Sequence, residues 1–202
     1  MLPPRSVSNL IASAFAEAAL RNRAIGDEWR KISVKVGGRL PASLLIVDVQ
    51  KMGNLDLVIR SMEDDSKCDH GDPDLQMFLS GLWVGMAYEV LRSLKARKLC
   101  SGDAFEILER DLKLIRIPLE KYEIPDEGKL DGPTALARSP PNNDASDFYA
   151  YVPKKDPLRT HIMPSELREG SVSWQVLDPL AAVKERWIVR RDLSDRILAL
   201  WA

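Results

Sequence analysis

Apolar residues recur at steps of three and four between Pro41 and Tyr122, whereas beyond Phe148 they alternate one by one. The first spacing puts side chains on one face of a helix, and the second puts them on one face of a strand. The chain therefore reads as helical first and extended later. Leu45, Val49, Met52, Leu55, Ile59 and Met62 form one such helical stripe within Pro41 to Met62, with Gly53-Asn54 as a soft point. Phe78 to Arg92, FLSGLWVGMAYEVLR, is apolar on nearly every side and has Tyr88, Glu89 and Arg92 as its large polar groups. A helix of that kind is expected at the centre of a bundle, covered on several faces. Asp72 is placed to cap it and Pro73 to open it.

A further helix follows Ser101-Gly102, starting from the Asp103/Glu106 capping-box pattern. Its stripe is Phe105, Leu108, Leu112, Ile115, Leu119 and Tyr122, and Glu106–Arg110 and Glu109–Lys113 support the opposite face at i,i+4. Pro118 is expected to kink or end it in the last turn. Near the start, Ser8 to Ala24 predicts a helix with Leu10, Ile11, Ala14, Phe15 and Ala18 on a modest apolar stripe and Gly26 as the stop. Ile32, Val34 and Val36 alternate, which predicts a short edge strand or an extended loop ending at Gly37-Gly38.

Prolines, glycines and asparagines interrupt residues 123–146 too densely for a long regular element. Beyond it, Phe148 to Val152 predicts a short strand. Ser171 to Leu177 and Val183 to Val189 predict an antiparallel hairpin, in which Trp174 and Trp187 would pack across the strands. Asp192 would cap a closing helix carrying Leu193, Ile197 and Leu200 on one side. The expected fold is mainly α: a bundle of four to five helices over 1–122, an irregular linker over 123–146, and a hairpin with closing helix over 147–202. The hairpin unit is too small for its own core and is expected to pack on the bundle as one compact domain.

Composition changes this picture little. Of 202 residues, 45% are hydrophobic and 29% charged, with a net charge of −1, as in an ordinary globular chain. Neither half has the basic excess that duplex nucleic acid binding draws on, so charge gives no support to a nucleic acid partner. Cys68 and Cys100 are too few for a disulfide framework, which suits a reducing compartment. The opening segment lacks a signal peptide's continuous apolar core, and the run around Trp83 is shorter than a membrane span. A cytoplasmic protein with no membrane association is expected. Its partners would be a second copy, since apolar helices at bundle edges pair, or another protein.

Three clusters carry candidate chemistry. Asp69, His70, Asp72 and Asp74, in an acidic loop expected from Glu63 to Asp74, offer oxygen and imidazole ligands to a divalent metal, in a spacing that fits neither the calcium loop nor a zinc pattern. A solvated connection that complements a helix N-terminus explains the same residues. Tyr88, Glu89 and Arg92 share a helical edge, either as a register-fixing ion pair or as the polar side of a ligand pocket. Gly81 and Gly85 on that helix suggest close backbone contact with a neighbour, which favours packing. Lys154, Lys155, Arg159 and His161 form a candidate anion patch, with His161 available for acid–base work and Arg190-Arg191 able to join it. No G-x-S-x-G elbow and no glycine-rich phosphate loop occur, and no cofactor is expected.

The pattern LWVGMAYEVLR followed by IRIPLEKYEI resembles uncharacterised helical proteins of bacteria and also the HEPN group of four-to-five-helix bundles. The likeness spans Pro41 to Tyr122 and leaves the C-terminal hairpin and helix outside. Membership would imply RNA cleavage, toxin–antitoxin pairing or phage defence. The HEPN catalytic signature, an Arg followed four to six residues later by His, is missing: His161 has Lys155 at that distance, and acids precede His70. The resemblance thus implies a non-catalytic member. Three functions follow from these readings: a non-enzymatic binding or regulatory module, an RNA- or nucleotide-acting enzyme using the His161 patch, and a metal-dependent hydrolase using the acidic cluster.

Overall fold

The computed structural model describes residues 6–40, 43–67, 71–137, 148–154, 157 and 160–201. Five long helices come first: α1 (Val7–Arg21), α2 (Arg23–Arg39), α3 (Leu45–Ser66), α4 (Pro73–Ala96) and α5 (Asp103–Lys121). A single 3-10 turn (Glu127–Lys129) leads to β1 (Thr134–Ala137) and β2 (Phe148–Tyr151), paired antiparallel. The strands β3 (Ser165–Arg168), β4 (Ser171–Leu177) and β5 (Glu185–Val189) form a second antiparallel sheet with β4 central. The closing helix α6 (Arg190–Ala199) follows β5 directly. The protein is mainly helical with a small C-terminal sheet and closing helix, as its periodicity predicts. No helix among the described residues is long and apolar enough to cross a membrane.

The segment expected to be a strand or loop is α2. Ile32 and Val36 are buried one turn apart, together with Trp29 and Ser33, while Val34 points outward. Alternation over three residues cannot separate the two periods, and the buried spacing of 29, 32, 33 and 36 is helical. Gly26 does not stop a helix. The break falls at Asn22, whose side-chain amide donates to the Ala18 and Leu57 carbonyls and to Ser61 Oγ. Gly26, Gly37 and Gly53 are instead contact points between α2 and α3. A Cβ at Gly53 would lie 2.7 Å from Trp29 Cγ, and one at Gly37 would lie 2.9 Å from Ile46 Cδ1. Helix propensity alone predicts that Gly53→Ala stabilises the protein by ~1 kcal/mol. The collision with the buried Trp29 ring reverses the sign, so a net loss of about 1–3 kcal/mol is expected in thermal or urea unfolding. A gain in melting temperature would show that the two helices separate freely.

The start of α4 follows the sequence signal: Asp72 accepts from the Leu75 amide, with Pro73 next in line. The start of α5 does not. Gly102, at φ 109°, takes the cap position, and no side-chain cap forms. Glu106 and Glu109 both turn to Lys95 on α4, Arg110 to Asp178 and Lys113 to Asp126. The expected intrahelical pairs give way to pairs that tie α5 to its neighbours. Phe105, Leu108, Leu112 and Ile115 are buried, whereas Leu119 and Tyr122 are exposed beyond them.

In the tail, β1 falls within the stretch expected to be irregular, and β3 makes a three-stranded sheet of the expected hairpin. Trp174 stands opposite Ile188, and Trp187 opposite Gln175, so the two indoles occupy opposite faces and do not stack. Trp174 joins the core, while Arg168 lies 4.0 Å over the outer Trp187 ring. The closing helix starts at Arg190, two residues before Asp192, which sits in its first turn. Leu193 and Ile197 seat α6 against the core shared by the helices and the sheet.

Candidate functional site

The middle of the protein is closed by charge. Asp56 is fully buried on α3 and accepts from Trp29 Nε1 (2.9 Å), Arg60 Nε (2.8 Å) and Arg190 Nη1 (2.5 Å). Glu63, one helical turn beyond Arg60, accepts from Arg190 Nε (2.7 Å), Arg191 Nη1 (2.6 Å) and Ser171 Oγ (2.8 Å). Arg60 reaches Ser194 and Asp195 on α6. Burial pushes the Asp56 carboxyl up, but Arg190, Arg60 and the Trp29 donor outweigh it and hold the group below the usual carboxylate range. This lattice fastens α6 and β4 to α3, and the Arg190 guanidinium also lies 5.4 Å from the Trp83 ring. Two expectations change here. Glu63 to Asp65 belong to α3 rather than to an acidic loop, and Arg190 is interior structure rather than part of an anion patch.

The opposite side of α4 is open. The helix turns Gln76, Ser80, Trp83, Val84, Ala87, Leu91 and Leu94 inward and leaves Phe78 and Leu82 outward, 63% and 49% exposed. Gln76 is spent on structure: its amide donates to the Gly170 carbonyl in the β3–β4 turn and its oxygen accepts from Ser66. Two polar side chains thus sit inside with the apolar ones, while the large apolar Phe78 and Leu82 stay outside. Along the outer face runs a groove of about 710 Å³, with Gly81, Gly85 and Met86 as its floor. Leu45 and Asp48 of α3 form one wall, and Leu119 and Glu120 of α5 the other. A Cβ at Gly81 would meet only Leu119, at 3.8 Å, and one at Gly85 only Glu120, at 3.4 Å. The two glycines therefore make no close backbone contact within the chain, contrary to the packing expectation.

Glu89 lines this groove; beside it on α4, Arg92 is exposed and Tyr88 is half-buried against the core. Glu89 pairs with Arg92 (2.7 Å) and with Arg116 of α5 (3.3 Å). Arg116 also binds Glu120 (2.9 Å) and stands 4.9 Å over the Tyr88 ring. Asp48 is 4.0 Å from Lys51. The carboxylates at the rim are thus already balanced by nearby cations, and the surface left over is apolar.

The other candidate residues are scattered. Asp69, His70, Lys155 and Arg159 lie outside the described residues. Asp72 is committed to capping α4, and Asp74 lies in its first turn. Among the described residues, no group of three or more His, Cys, Asp or Glu could hold a metal ion. Lys154 is exposed on a left-handed turn, whereas His161 is buried, 4% exposed. The His161 Nδ1 shares a 3.0 Å hydrogen bond with the Tyr149 hydroxyl, and Nε2 finds no partner among the described residues. Burial lowers its pKa to about 4. A cavity of about 30 Å³ beside it, room for about one water, is lined also by Gln175 and Glu185. A third concavity, about 410 Å³, contains Lys35, Arg39 and Trp201, but Lys35 donates to the Trp201 carbonyl and Arg39 to that of Leu99. Burial also raises the pKa of the Cys100 thiol there, which disfavours a reactive thiolate.

Sequence reasoning found Glu89 but missed the groove walls. The readable signal was the excess of apolar residues around α4; read as full burial, it concealed an exposed face. No protein-family model matches the chain, and no curated protein and no solved structure is significantly similar to it.

Proposed function

We propose that the protein is a non-enzymatic binding module, regulatory in role, whose docking surface is the outer face of α4. One observation carries this reading: α4 buries Gln76 and Ser80 while exposing Phe78 and Leu82 along an apolar groove. Folding by itself gains nothing from large apolar groups held in water, so their placement points to a partner that removes them from it. Floor glycines and apolar flanks suit a helix laid lengthwise, read by side chains spaced three and four apart. The non-catalytic side of the HEPN resemblance agrees with this reading. So does the setting of His161, which an enzymatic reading needs at an accessible anion site but which is buried against Tyr149.

A photo-crosslinker placed at Phe78 tests the reading. The expected adduct maps to an apolar helical segment of a binding partner, and Gly85→Leu, which fills the groove floor, suppresses it. An adduct formed equally well with Gly85→Leu, or none at all, would remove the groove from the function.

A further inference from the structure

The chain carries a second unpartnered apolar surface. Only Ala18 of α1 is buried, while Val7, Leu10, Ile11 and Phe15 are exposed. From Val7 to Ala16 the helix has no charged residue. It is held at its C-terminal end, where Arg21 binds Asp65 (2.8 Å) and Asn22 binds Ser61 (2.9 Å). The N-terminal half is therefore an apolar arm rooted on the C-terminal half of α3. The groove takes its α3 wall from the other end of that helix, at Leu45 and Asp48.

We infer that the groove of one copy receives the α1 arm of a second copy, and that two copies exchange arms reciprocally. This rests on the docking reading above and names the occupant. Charge supports the match. The rim carboxylates are paired with Lys51, Arg92 and Arg116, so the groove offers a cationic ligand little and suits an uncharged helix. Val7, Ile11 and Phe15 recur every fourth residue, the spacing at which a helix presents anchors to a groove. Gly81 and Gly85 let its backbone come close to α4. Size also suffices. Ten helical residues are ~15 Å long and ~10 Å across, so two half-buried arms and their grooves cover about 1,000 Å², near the lower bound for a specific interface. A two-fold exchange closes on itself and makes a dimer rather than a fibre.

Sedimentation and native mass spectrometry of the full chain test this. A dimer is expected. Ile11→Glu, which puts a charge on the arm, and Gly85→Leu, which fills the groove, should each weaken it at least ~100-fold, since a lone carboxylate is costly in an apolar contact. In the single copy Ile11 is exposed and a Cβ at Gly85 meets only Glu120, so both variants should keep the helical circular-dichroism spectrum and lose only the melting stability that dimerisation adds. The decisive step is mixing. One intact arm and one intact groove remain between the two variants, so the mixture should pair more tightly than either variant alone and more weakly than the unaltered protein, which has two such contacts. A monomeric unaltered protein overturns the exchange, as does a mixture that pairs no more tightly than the separate variants. If Gly85→Leu abolishes the dimer and Ile11→Glu leaves it unchanged, α4 faces pair with each other and the arm is excluded. A monomer that still yields a Phe78 adduct with a different protein defeats this inference alone and leaves the docking reading standing.

Discussion

Replacing Asp56 by Ala is expected to cost about 3–5 kcal/mol of folding stability, the range for breaking a buried ion pair from one side. The carboxylate is inaccessible and takes three donors, from Trp29, Arg60 and Arg190. Without it, the Arg190 guanidinium keeps Glu63, while Arg60 keeps Ser194 and the exposed Asp195. Positive charge is left in excess where water does not reach. The double change Asp56→Leu with Arg190→Met should cost less than the sum of the single changes, because well-packed apolar groups can replace a buried pair with little loss. Urea unfolding of the four proteins gives the coupling. A loss below ~1 kcal/mol for Asp56→Ala would mean that water hydrates the cluster and that α6 is fastened by packing alone.

Acid should act first through His161. Its pKa in the folded protein is about 4, lowered by burial from the ordinary 6.5. The unfolded chain therefore takes up the proton first as pH falls. Stability is complete above about pH 6.5, declines down to about pH 4, and then levels with a loss of roughly 3 kcal/mol from this group. Tyr149 and Tyr151 stand against the ring, and Glu185 shares its small cavity. Asp56 and Asp178 have depressed pKa values, so their contributions are lost only below the usual carboxylate range. Among the described residues, the window between pH 6.5 and 4 thus belongs to His161. Urea midpoints for the unaltered protein should drop across that window, and those of His161→Gln should stay nearly flat. Parallel curves for the two proteins would sink this assignment.

Much of the architecture is legible along the chain because helix and strand periods are local. The α3 stripe, the Asp72-Pro73 start of α4, the Phe105–Ile115 face and β4 all follow from spacing and capping chemistry. The errors share a cause. Gly26 and Gly37 read as breaks because a glycine's cost is local, while its benefit is a neighbouring helix brought close. The acids at 63–65 read as a solvated loop because Arg190 and Arg191, which neutralise Glu63, lie more than a hundred positions away.

The site shows the same division. Glu89 and Arg92 pair as their i,i+3 spacing suggests, yet whether that pair is interior or at the rim depends on which side of α4 the sheet covers. By itself, the sequence determined the helices other than α2, the Asp72 cap of α4 and a tail of short strands, since each depends on side chains within a turn or two. Only the tertiary structure decided that Asp56, Arg60, Glu63 and Arg190 form one buried lattice. It also decided that α4 leaves Phe78 and Leu82 beside an open groove. Burial and ion pairing are sums over neighbours distant in sequence, and a periodic pattern shows that a face is apolar without showing what covers it.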